Sequence, residues 1–204
     1  MEKKQVVAVI DYGMGNIGSV QNMLKKLGYK SMIAQDEKTL TEATHLILPG
    51  VGSFDVAMTR LEELNLVKSI RHQVLSLKKP ILGICLGMQL LGKSSQEGFK
   101  EGLNLLDFDC MKFPNNTLKV PNMGWNEVAS QNNSILIDEL YPDARYYFVH
   151  SYYVPLSEGY TVLSATYGLT YTAALNKENI YGTQFHPEKS HRYGMQILNN
   201  FLKA

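Results

Sequence analysis

The sequence predicts an α/β protein: an open sheet that is parallel in its first half and extended by antiparallel strands in its second half, with helices on both faces. In the first half, short β-branched runs alternate with segments of helical periodicity. In the second half, several strand-like runs follow one another through short connections. Hydrophobic residues make up 45% of the 204 residues and charged residues 19%, which fits one globular domain over residues 1–204.

Strands and helices alternate in the first half of the chain. Residues 5–10 are largely apolar and β-branched, which is typical of a strand buried on both faces. Apolar residues between positions 20 and 27 recur with the spacing of one helical face, and Gly28 ends that helix. Strands are predicted at residues 5–10, 31–34, 45–48 and 80–84. Helices are predicted at residues 19–27, over most of 54–77, and from Leu86 onward.

The second half is interpreted as an antiparallel extension of this sheet. Its strand-like runs lie at residues 107–113, 145–149, 161–166, 171–175 and 180–185. A closing helix is predicted at residues 193–202. Together the elements predict a flavodoxin-like open sheet that carries its functional residues at the carboxyl edge of the parallel strands.

Charge and apolar patterning exclude several classes of protein. The net charge of +1 and the pI near 7.7 give no electrostatic reason to expect nucleic acid or an anionic membrane as a partner. The apolar run near the start is too short for a signal peptide, and residues 81–91 are too few for a membrane span. With two cysteines, Cys85 and Cys110, a disulfide framework is not expected. We therefore expect a cytoplasmic protein with free thiols and with neither metal nor cofactor.

The sharpest motif is G-x-C-x-G at residues 83–87, which joins an apolar strand to an apolar helix. Such an elbow presents a nucleophile on a strained turn at the carboxyl edge of the sheet, and the flanking glycines avoid side-chain clashes. The helix N-terminus favours a thiolate at Cys85 and a nearby oxyanion. Taken alone, this motif is explained equally well by a buried cysteine in a tight strand–helix turn.

A second motif, residues 182–188, supplies a base for such a nucleophile. Residues two apart in extended chain face the same side, so His186 and Glu188 can point together. A carboxylate that accepts the imidazole N–H fixes its tautomer and stabilises the imidazolium. A satisfied surface histidine is the alternative for His186. Together with Cys85, the two motifs supply a nucleophile, a base and an orienting acid, which is more specific than either motif alone.

A glycine loop at residues 48–53 follows the third predicted strand and reaches the same carboxyl edge of the sheet. Its flexibility allows a backbone N–H group to turn toward an oxyanion beside the nucleophile. The competing interpretation is an ordinary strand–helix turn, with Ser53 as the cap of the following helix.

Residues 13–18 match the dinucleotide fingerprint G-x-G-x-x-G between a strand and a helix, with Asp36 near the end of the next strand. A nicotinamide- or flavin-dependent oxidoreductase is therefore the rival hypothesis. Against it, Asp11 lies just before the loop, where a carboxylate repels a pyrophosphate unless it is turned away. The oxidoreductase hypothesis also leaves Cys85 and His186 without a role.

Several motifs together give the chain a family resemblance. The elbow at residues 83–89, the loop at residues 49–52 and the run at residues 184–190 resemble the class I, triad-type glutamine amidotransferases. Three further stretches narrow the resemblance to the glutaminase subunits of imidazole glycerol phosphate synthases. These stretches are residues 11–16, 121–126 and 147–152. The resemblance covers nearly the whole chain, and its motifs are specific in combination.

The resemblance implies roles residue by residue. Cys85 attacks the carboxamide of L-glutamine and forms a glutamyl thioester, while His186 protonates the departing ammonia and then activates water, and Glu188 orients His186. Backbone N–H groups of Val51 and Leu86 hold the oxyanion. The residues that grip glutamine are Gly50, Gly52, Gln89, Glu97, Ser151 and Tyr152. Among them, Glu97 suits the substrate ammonium because a carboxylate pairs with a cation.

The resemblance also implies a partner, because ammonia released into neutral water is protonated and loses its nucleophilicity. In the family, that partner is a TIM-barrel cyclase, bound as a heterodimer, which makes imidazole glycerol phosphate and AICAR in histidine biosynthesis. The matching interface positions are Asn16, Met123, Trp125, Tyr147 and Lys189. On generic grounds the single tryptophan is more often a core residue; here the resemblance favours the interface.

Two departures from the family pattern leave the destination of the ammonia open. Asn122 stands where histidine is common, and residues 102–107 lack a glycine often found there. Both departures also suit a paralogous branch that supplies ammonia to amidotransferases of surface-polysaccharide sugars. Histidine biosynthesis is the first prediction and sugar amidation the alternative. A scaffold without catalysis is a third hypothesis, and the intact Cys85, His186 and Glu188 argue against it.

Overall fold

The computed structural model describes residues 5–114 and 118–204. Its helices are α1 (Ile17–Lys26), α2 (Glu37–Glu42), α3 (Phe54–Glu63), α4 (Leu66–Arg71), α5 (Leu86–Leu90) and α6 (His191–Phe201). Its strands are β1 (Val6–Ile10), β2 (Lys30–Ala34), β3 (His45–Gly50), β4 (Ile81–Cys85), β5 (Ser94–Ser95), β6 (Asp109–Lys112), β7 (Asn122–Glu127), β8 (Ala129–Ser130), β9 (Arg145–His150), β10 (Tyr152–Tyr153), β11 (Thr161–Tyr167), β12 (Leu169–Lys177) and β13 (Ile180–Thr183). Shorter helical turns lie at His72–Ser76, Ile135–Ile137 and Pro187–Lys189.

In the part of the chain that the structure describes, the main sheet has eight strands in the order β2-β1-β3-β4-β13-β12-β11-β8. Neighbouring strands are parallel from β2 to β13 and antiparallel from β13 to β8. Parallel strands require crossover connections, and helices supply most of them here. The predicted α/β class, with a parallel block and an antiparallel extension, is confirmed.

Alternate side chains of the parallel strands enter two separate cores, one on each face of the sheet. In β1, Ala8 and Ile10 belong to one core, whereas Val7 and Val9 belong to the other. Helices α2, α3 and α4 pack on the first core, and α1 and α6 pack on the second. Because both faces are covered, the central parallel strands are buried along nearly their whole length rather than at alternate positions.

The helical stretch predicted over residues 54–77 is interrupted at Asn65. This residue adopts a left-handed conformation with φ of 57°, so α3 ends just before it and α4 begins just after it. Asparagine tolerates that conformation better than most residues. The sequence also did not reveal α2, because its six residues are too few to show a helical repeat.

Two strand-like runs of the second half do not join the main sheet, which corrects the prediction. Within residues 107–113, β6 pairs with β5 and β10 in a three-stranded sheet. The run at residues 145–149 forms β9, which pairs with β7 in a two-stranded ribbon. A strand-like run specifies neither its partner nor its sheet, because pairing depends on nonlocal contacts.

The position of β13 determines which loops meet. This strand lies between β4 and β12 and runs parallel to β4, with Thr183 beside Ile84. On the other side of β4, Gly50 of β3 lies beside Cys85. The three strands therefore end at one edge of the sheet, about 4.8 Å apart from neighbour to neighbour.

Gly87 allows α5 to pack directly against β3. A Cβ atom at this position would lie 1.8 Å from the carbonyl oxygen of Leu48, a contact that only a backbone shift can relieve. We expect Gly87→Ala to lower the free energy of unfolding by about 1–3 kcal/mol, measured by urea denaturation. The matched control is Gly18→Ala in α1, where the added methyl meets nothing within 4 Å and should raise stability by about 0.5–1 kcal/mol. Equal unfolding midpoints for Gly87→Ala and the wild type would contradict this packing argument.

Candidate active site

A cavity of about 280 Å³ opens at the edge where β3, β4 and β13 end. Its lining residues are Val51, Gly52, Cys85, Leu86, Gln89, Glu97, Pro121, Val149, His150, Ser151, Tyr152 and His186. Sites for drug-sized ligands span roughly 300–1,000 Å³, so this cavity suits a ligand of amino-acid size. The structure thus gathers most of the sequence-predicted site residues around one space.

Cys85 is the last residue of β4 and stands on a strained elbow. Its backbone has φ of 55° and ψ of −109°, a region that residues other than glycine adopt only under constraint. The side chain is 6% exposed. Its Sγ lies 3.8 Å from the carbonyl oxygen of Val149 and 3.8 Å from the side-chain nitrogen of Gln184. The elbow therefore presents a nearly buried thiol to the cavity.

His186 lies across the cavity and is oriented by Glu188. Its Nδ1 is 2.8 Å from Oε1 of Glu188, and both side chains are almost fully buried. Because a carboxylate only accepts, Nδ1 carries the proton. Within residues 5–114 and 118–204, Nε2 of His186 has no hydrogen-bond partner that meets ordinary geometric limits. This second ring nitrogen therefore remains for exchange of a proton with the cavity.

Charge at the site favours an imidazolium. Burial lowers the pKa of His186, but interactions with Cys85 and Glu188 more than offset it and raise the pKa to about 9. His186 is therefore protonated at neutral pH, and its positive charge can stabilise a thiolate on Cys85. The carboxylate of Glu188 in turn stabilises the imidazolium, as in other triads.

The predicted oxyanion loop borders the cavity. Val51 and Gly52 line it directly, and Gly50 lies one residue behind them at the end of β3. A Cβ atom at Gly50 would lie 2.6 Å from the hydroxyl of Tyr12, which donates to the carbonyl of Pro49 at 2.9 Å. Tyr12, to which the sequence assigned no role, thus holds the strand end from which the loop departs.

Glu97 combines a structural contact with exposure to the cavity. Its Oε2 accepts the backbone N–H of Phe54, the first residue of α3, at 2.9 Å. Ser53 occupies the N-cap position of α3, as the alternative interpretation of this loop expected, but its side chain makes no capping hydrogen bond among the described residues. Burial raises the pKa of Glu97, and the nearby charge of Asp55 raises it further. The hydrogen bond from Phe54 acts in the opposite direction and lowers the pKa, but the net shift is upward. A cationic ligand group in the cavity would relieve that cost.

Gln89 and Tyr152 form one wall of the cavity through a direct hydrogen bond. The side-chain nitrogen of Gln89 donates to the carbonyl of Tyr152 at 3.0 Å and to Oε1 of Gln184 at 3.1 Å. Sequence reasoning gave no role to Gln184 or to the buried His150. The spacing of Gln184, two residues before His186, was a usable signal because it favours a common side in extended chain.

Four of the predicted interface residues lie on or near the ribbon of β7 and β9. Trp125 is 45% exposed and Met123 is 62% exposed, so the generic expectation of a core tryptophan is wrong. The Trp125 ring stacks on His191 with centroids 5.6 Å apart and meets Tyr147 edge-on at 6.2 Å. Lys189 extends over the ring of Tyr147, with Nζ 5.8 Å from its centroid. We call Met123, Trp125, Tyr147, Lys189 and His191 the aromatic patch.

The loop at residues 13–18 is organised by its own acidic residue. Asp11 accepts the N–H of Gly13 at 3.0 Å and the side-chain amide of Gln35 at 2.9 Å, so its carboxylate occupies a donor that a pyrophosphate would need. Asp36 instead caps α2 by accepting the N–H of Thr39 at 2.8 Å. Asn16, the remaining predicted interface residue, immediately precedes α1. These contacts argue against the dinucleotide hypothesis.

Both cysteines are free thiols. Cys110 is completely buried, and burial, together with the charges of Asp109 and Glu97, raises its pKa. Over residues 5–114 and 118–204, no group of three or more His, Cys, Asp or Glu side chains is arranged to hold a metal ion. In the same ranges, no helix combines the length and apolar character required to cross a bilayer.

A family model described as "Glutamine amidotransferase class-I" matches residues 8–204. The match includes the elbow at Cys85, the loop at Val51 and the pair His186 and Glu188. The chain therefore belongs to the class-I glutamine amidotransferases. Among solved structures, a glutamine amidotransferase has a TM-score of 0.75 at 19% identity over 97% of both chains. PurLQS from Thermotoga maritima has a TM-score of 0.74 at 17% identity, covering 98% of this chain and 99% of that one, and at these identities the likeness establishes the fold alone.

More similar relatives place the chain within that class. "Imidazole glycerol phosphate synthase subunit HisH 2" of Methanococcus maripaludis is 48% identical over 97% of this chain and 99% of that protein. The protein of the same name from Pseudomonas aeruginosa is 45% identical over 97% of this chain and 99% of its own length. The subunit HisH of Leptospira interrogans is 43% identical over 96% of this chain and 98% of its own. Within the class, the chain belongs to the family of HisH subunits.

The geometry of the pair His186 and Glu188 yields a pH prediction. Glu188→Gln keeps a hydrogen-bond acceptor for Nδ1 but removes the charge, so the pKa of His186 should fall from about 9. The imidazolium is then lost at lower pH, and the alkaline limb of kcat/KM for glutamine should move down. We expect the maximal rate to fall roughly 10²–10⁴-fold, the range of acid–base contributions.

The matched control is Glu178→Gln. Glu178 is an exposed carboxylate paired with Lys78 at 2.8 Å, and its charge lies away from the cavity lining. The profile of that variant should match the wild type. An alkaline limb that Glu188→Gln leaves unchanged would refute the control of His186 by Glu188.

Proposed function

We propose that this chain is the glutaminase subunit of an imidazole glycerol phosphate synthase and acts as one domain, residues 1–204, in the cytoplasm. Its membership of the HisH family supports this function. The observation that carries it is the shared cavity of Cys85 and His186, with Glu188 at 2.8 Å behind the imidazole. Amide hydrolysis through a thioester requires a nucleophile, a base and an acid that orients the base, and these three groups lie at one cavity here.

In the proposed first half-reaction, the Cys85 thiolate attacks the side-chain carbonyl carbon of glutamine. A C–S bond forms, and the carbonyl oxygen becomes an oxyanion, which the N–H groups of Val51 and Leu86 receive. His186 then transfers its Nε2 proton to the amide nitrogen. The C–N bond breaks, ammonia leaves, and a glutamyl thioester remains on the sulfur.

In the second half-reaction, the now neutral His186 removes a proton from a water molecule. The water oxygen attacks the thioester carbon and the C–S bond breaks, so the thiolate–imidazolium pair is restored and the product leaves as a carboxylic acid, which ionises to glutamate in water. We propose that Glu97 pairs with the ammonium group of glutamine throughout. Its partly buried carboxylate, with raised pKa, supports this role. The other proposed substrate contacts are Gly50, Gly52, Gln89, Ser151 and Tyr152.

We propose that the ammonia passes to a TIM-barrel cyclase bound as a heterodimer, so that it never meets bulk water. The aromatic patch supports an interface because an exposed tryptophan beside a tyrosine and a lysine is typical of binding hot spots. Asn16 completes the proposed interface. Asn122, in contrast, is buried and bonds to His150 at 3.1 Å and to Tyr171 at 3.1 Å. Its departure from the family pattern is thus accommodated inside the subunit.

Cys85→Ala should abolish glutamate formation in the presence of the cyclase, because it removes the sulfur that forms the proposed thioester. The matched control is Cys110→Ser, which alters the second thiol in the core and should retain hydrolysis wherever it folds. Circular dichroism reports folding for both variants, and an assay of glutamate release reports activity. Persistent hydrolysis in Cys85→Ala would overturn the proposed mechanism.

The partner proposal predicts poor hydrolysis by the isolated subunit and faster hydrolysis after addition of the cyclase. Trp125→Ala should weaken cyclase binding by roughly tenfold or more, the effect of truncating a hot-spot residue. The control is Leu77→Ala, an exposed apolar residue near the start of β4, at the opposite edge of the sheet from the cavity. Titration of glutaminase activity with cyclase measures both affinities. Equal affinities for the two variants would place the interface elsewhere.

The destination of the ammonia is decided by the product. The reconstituted complex, supplied with glutamine and the phosphorylated cyclase substrate, should form imidazole glycerol phosphate and AICAR. Formation of an aminated sugar by a different partner, with no imidazole product from the cyclase, would replace histidine biosynthesis with the sugar-amidation alternative while leaving the glutaminase chemistry intact.

A further inference from the structure

The proposed hydrolysis leaves a completely buried amide beside the nucleophile without a role. Gln184 directly follows β13 and has 0% exposure. Its Nε2 lies 3.8 Å from Sγ of Cys85, within hydrogen-bond reach of a sulfur acceptor. A buried polar side chain is costly unless its donor and acceptor groups are paired. The orientation of this amide therefore decides whether its nitrogen or its oxygen faces the Cys85 sulfur.

A chain of hydrogen bonds determines which end of the amide faces the sulfur. The carbonyl of Tyr152 is only an acceptor, so the Gln89 group that bonds to it at 3.0 Å must be the nitrogen. The same nitrogen donates to Gln184 at 3.1 Å, so the atom of Gln184 on that side must be the oxygen. The nitrogen of Gln184 is thereby directed toward Cys85.

The other end of the chain is anchored in the same way. Nδ1 of His150 lies 2.8 Å from the carbonyl of Tyr152, so it must carry the proton and leave Nε2 as an acceptor. Asn122 donates to that Nε2 at 3.1 Å. Burial lowers the pKa of His150 to about 4, and the charge of His186 also lowers it. The hydrogen bond to Tyr152 raises the pKa but does not offset these two effects. His150 is therefore neutral, and the direction of every hydrogen bond is determined.

We propose that Gln184 is a further catalytic residue of the glutaminase: its side-chain amide donates an N–H to the Cys85 sulfur and stabilises the thiolate, while Gln89, Tyr152, His150 and Asn122 hold the amide in that orientation. The inference deepens the proposed function and rests on it. A donor at this position assists the thiolate both before attack and when it leaves the thioester. The amide also differs from the imidazolium of His186, which loses its proton at alkaline pH, because a neutral amide keeps its N–H donor at every pH.

The test is Gln184→Met, which conserves the length of the side chain and removes the donor. Iodoacetamide alkylates the thiolate of Cys85, and mass spectrometry separates it from the buried Cys110. The pH midpoint of alkylation should rise by about one unit, so that the rate at a fixed acidic pH falls about tenfold. The acid limb of kcat/KM for glutamine should rise by the same amount. The titratable groups that interact with Cys85 are His186 and Tyr12, and His150 lines the same cavity; the substitution removes none of them.

The matched control is Gln73→Met, which removes another buried amide that donates to Thr41 at 3.0 Å and does not line the cavity. Its alkylation midpoint should equal that of the wild type. If Gln184→Met folds and keeps the wild-type midpoint, or lowers kcat without moving either pH limb, the inference is overturned. If Gln184→Met does not fold, Gln184→Asn serves as the second variant, because its side chain is one methylene shorter and moves the amide away from the sulfur. The alkylation midpoint of Gln184→Asn must then rise, and an unchanged midpoint overturns the inference. Because alkylation requires neither glutamine nor cyclase, these outcomes are independent of the Cys85→Ala test of the proposed function.

Discussion

The whole site depends on the parallel pairing of β13 with β4. In a sheet of many strands, the run at residues 180–183 has many possible neighbours. Its parallel register with residues 81–84 places the end of β13 beside the end of β4. The chain then continues through Gln184 to His186, which returns to Tyr147 through a backbone hydrogen bond of 3.0 Å. A slip of one residue would turn the histidine to the opposite face of the sheet.

Strain and electrostatics reinforce each other at the nucleophile. The positive φ of Cys85 is maintained because α5 packs against β3 without an intervening side chain at Gly87. That geometry places Cys85 in the lining of the cavity. In the buried site, an imidazolium between a thiolate and Glu188 interacts more strongly than it would in water, because the effective dielectric constant is lower. The neutral hydrogen bonds from Gln184 back to Asn122 add fixed dipoles that need no reorganisation during the reaction.

Local patterns predicted much of the fold and of the site. The parallel strands and α1 lie within a few residues of their predicted bounds because apolar runs and helical spacing are local signals. The separate pairing of β9 with β7 escaped prediction, since strand partners are chosen by contacts distant in sequence. Trp125 was placed correctly on the surface only by resemblance. Tyr12, His150 and Gln184 escaped because their importance lies in contacts between elements.

By itself, the sequence determined the chemical inventory: a thiol on a glycine elbow, an imidazole two residues before a carboxylate, and a glycine loop at a strand end. Those features follow from residue type and spacing within a few positions. Only the tertiary structure decided that Cys85 and His186 share one cavity, that Asn122 faces inward, and that the Gln184 amide points its nitrogen at the sulfur. The reason is physical, because strand order and hydrogen-bond direction arise from nonlocal packing that residue spacing does not encode.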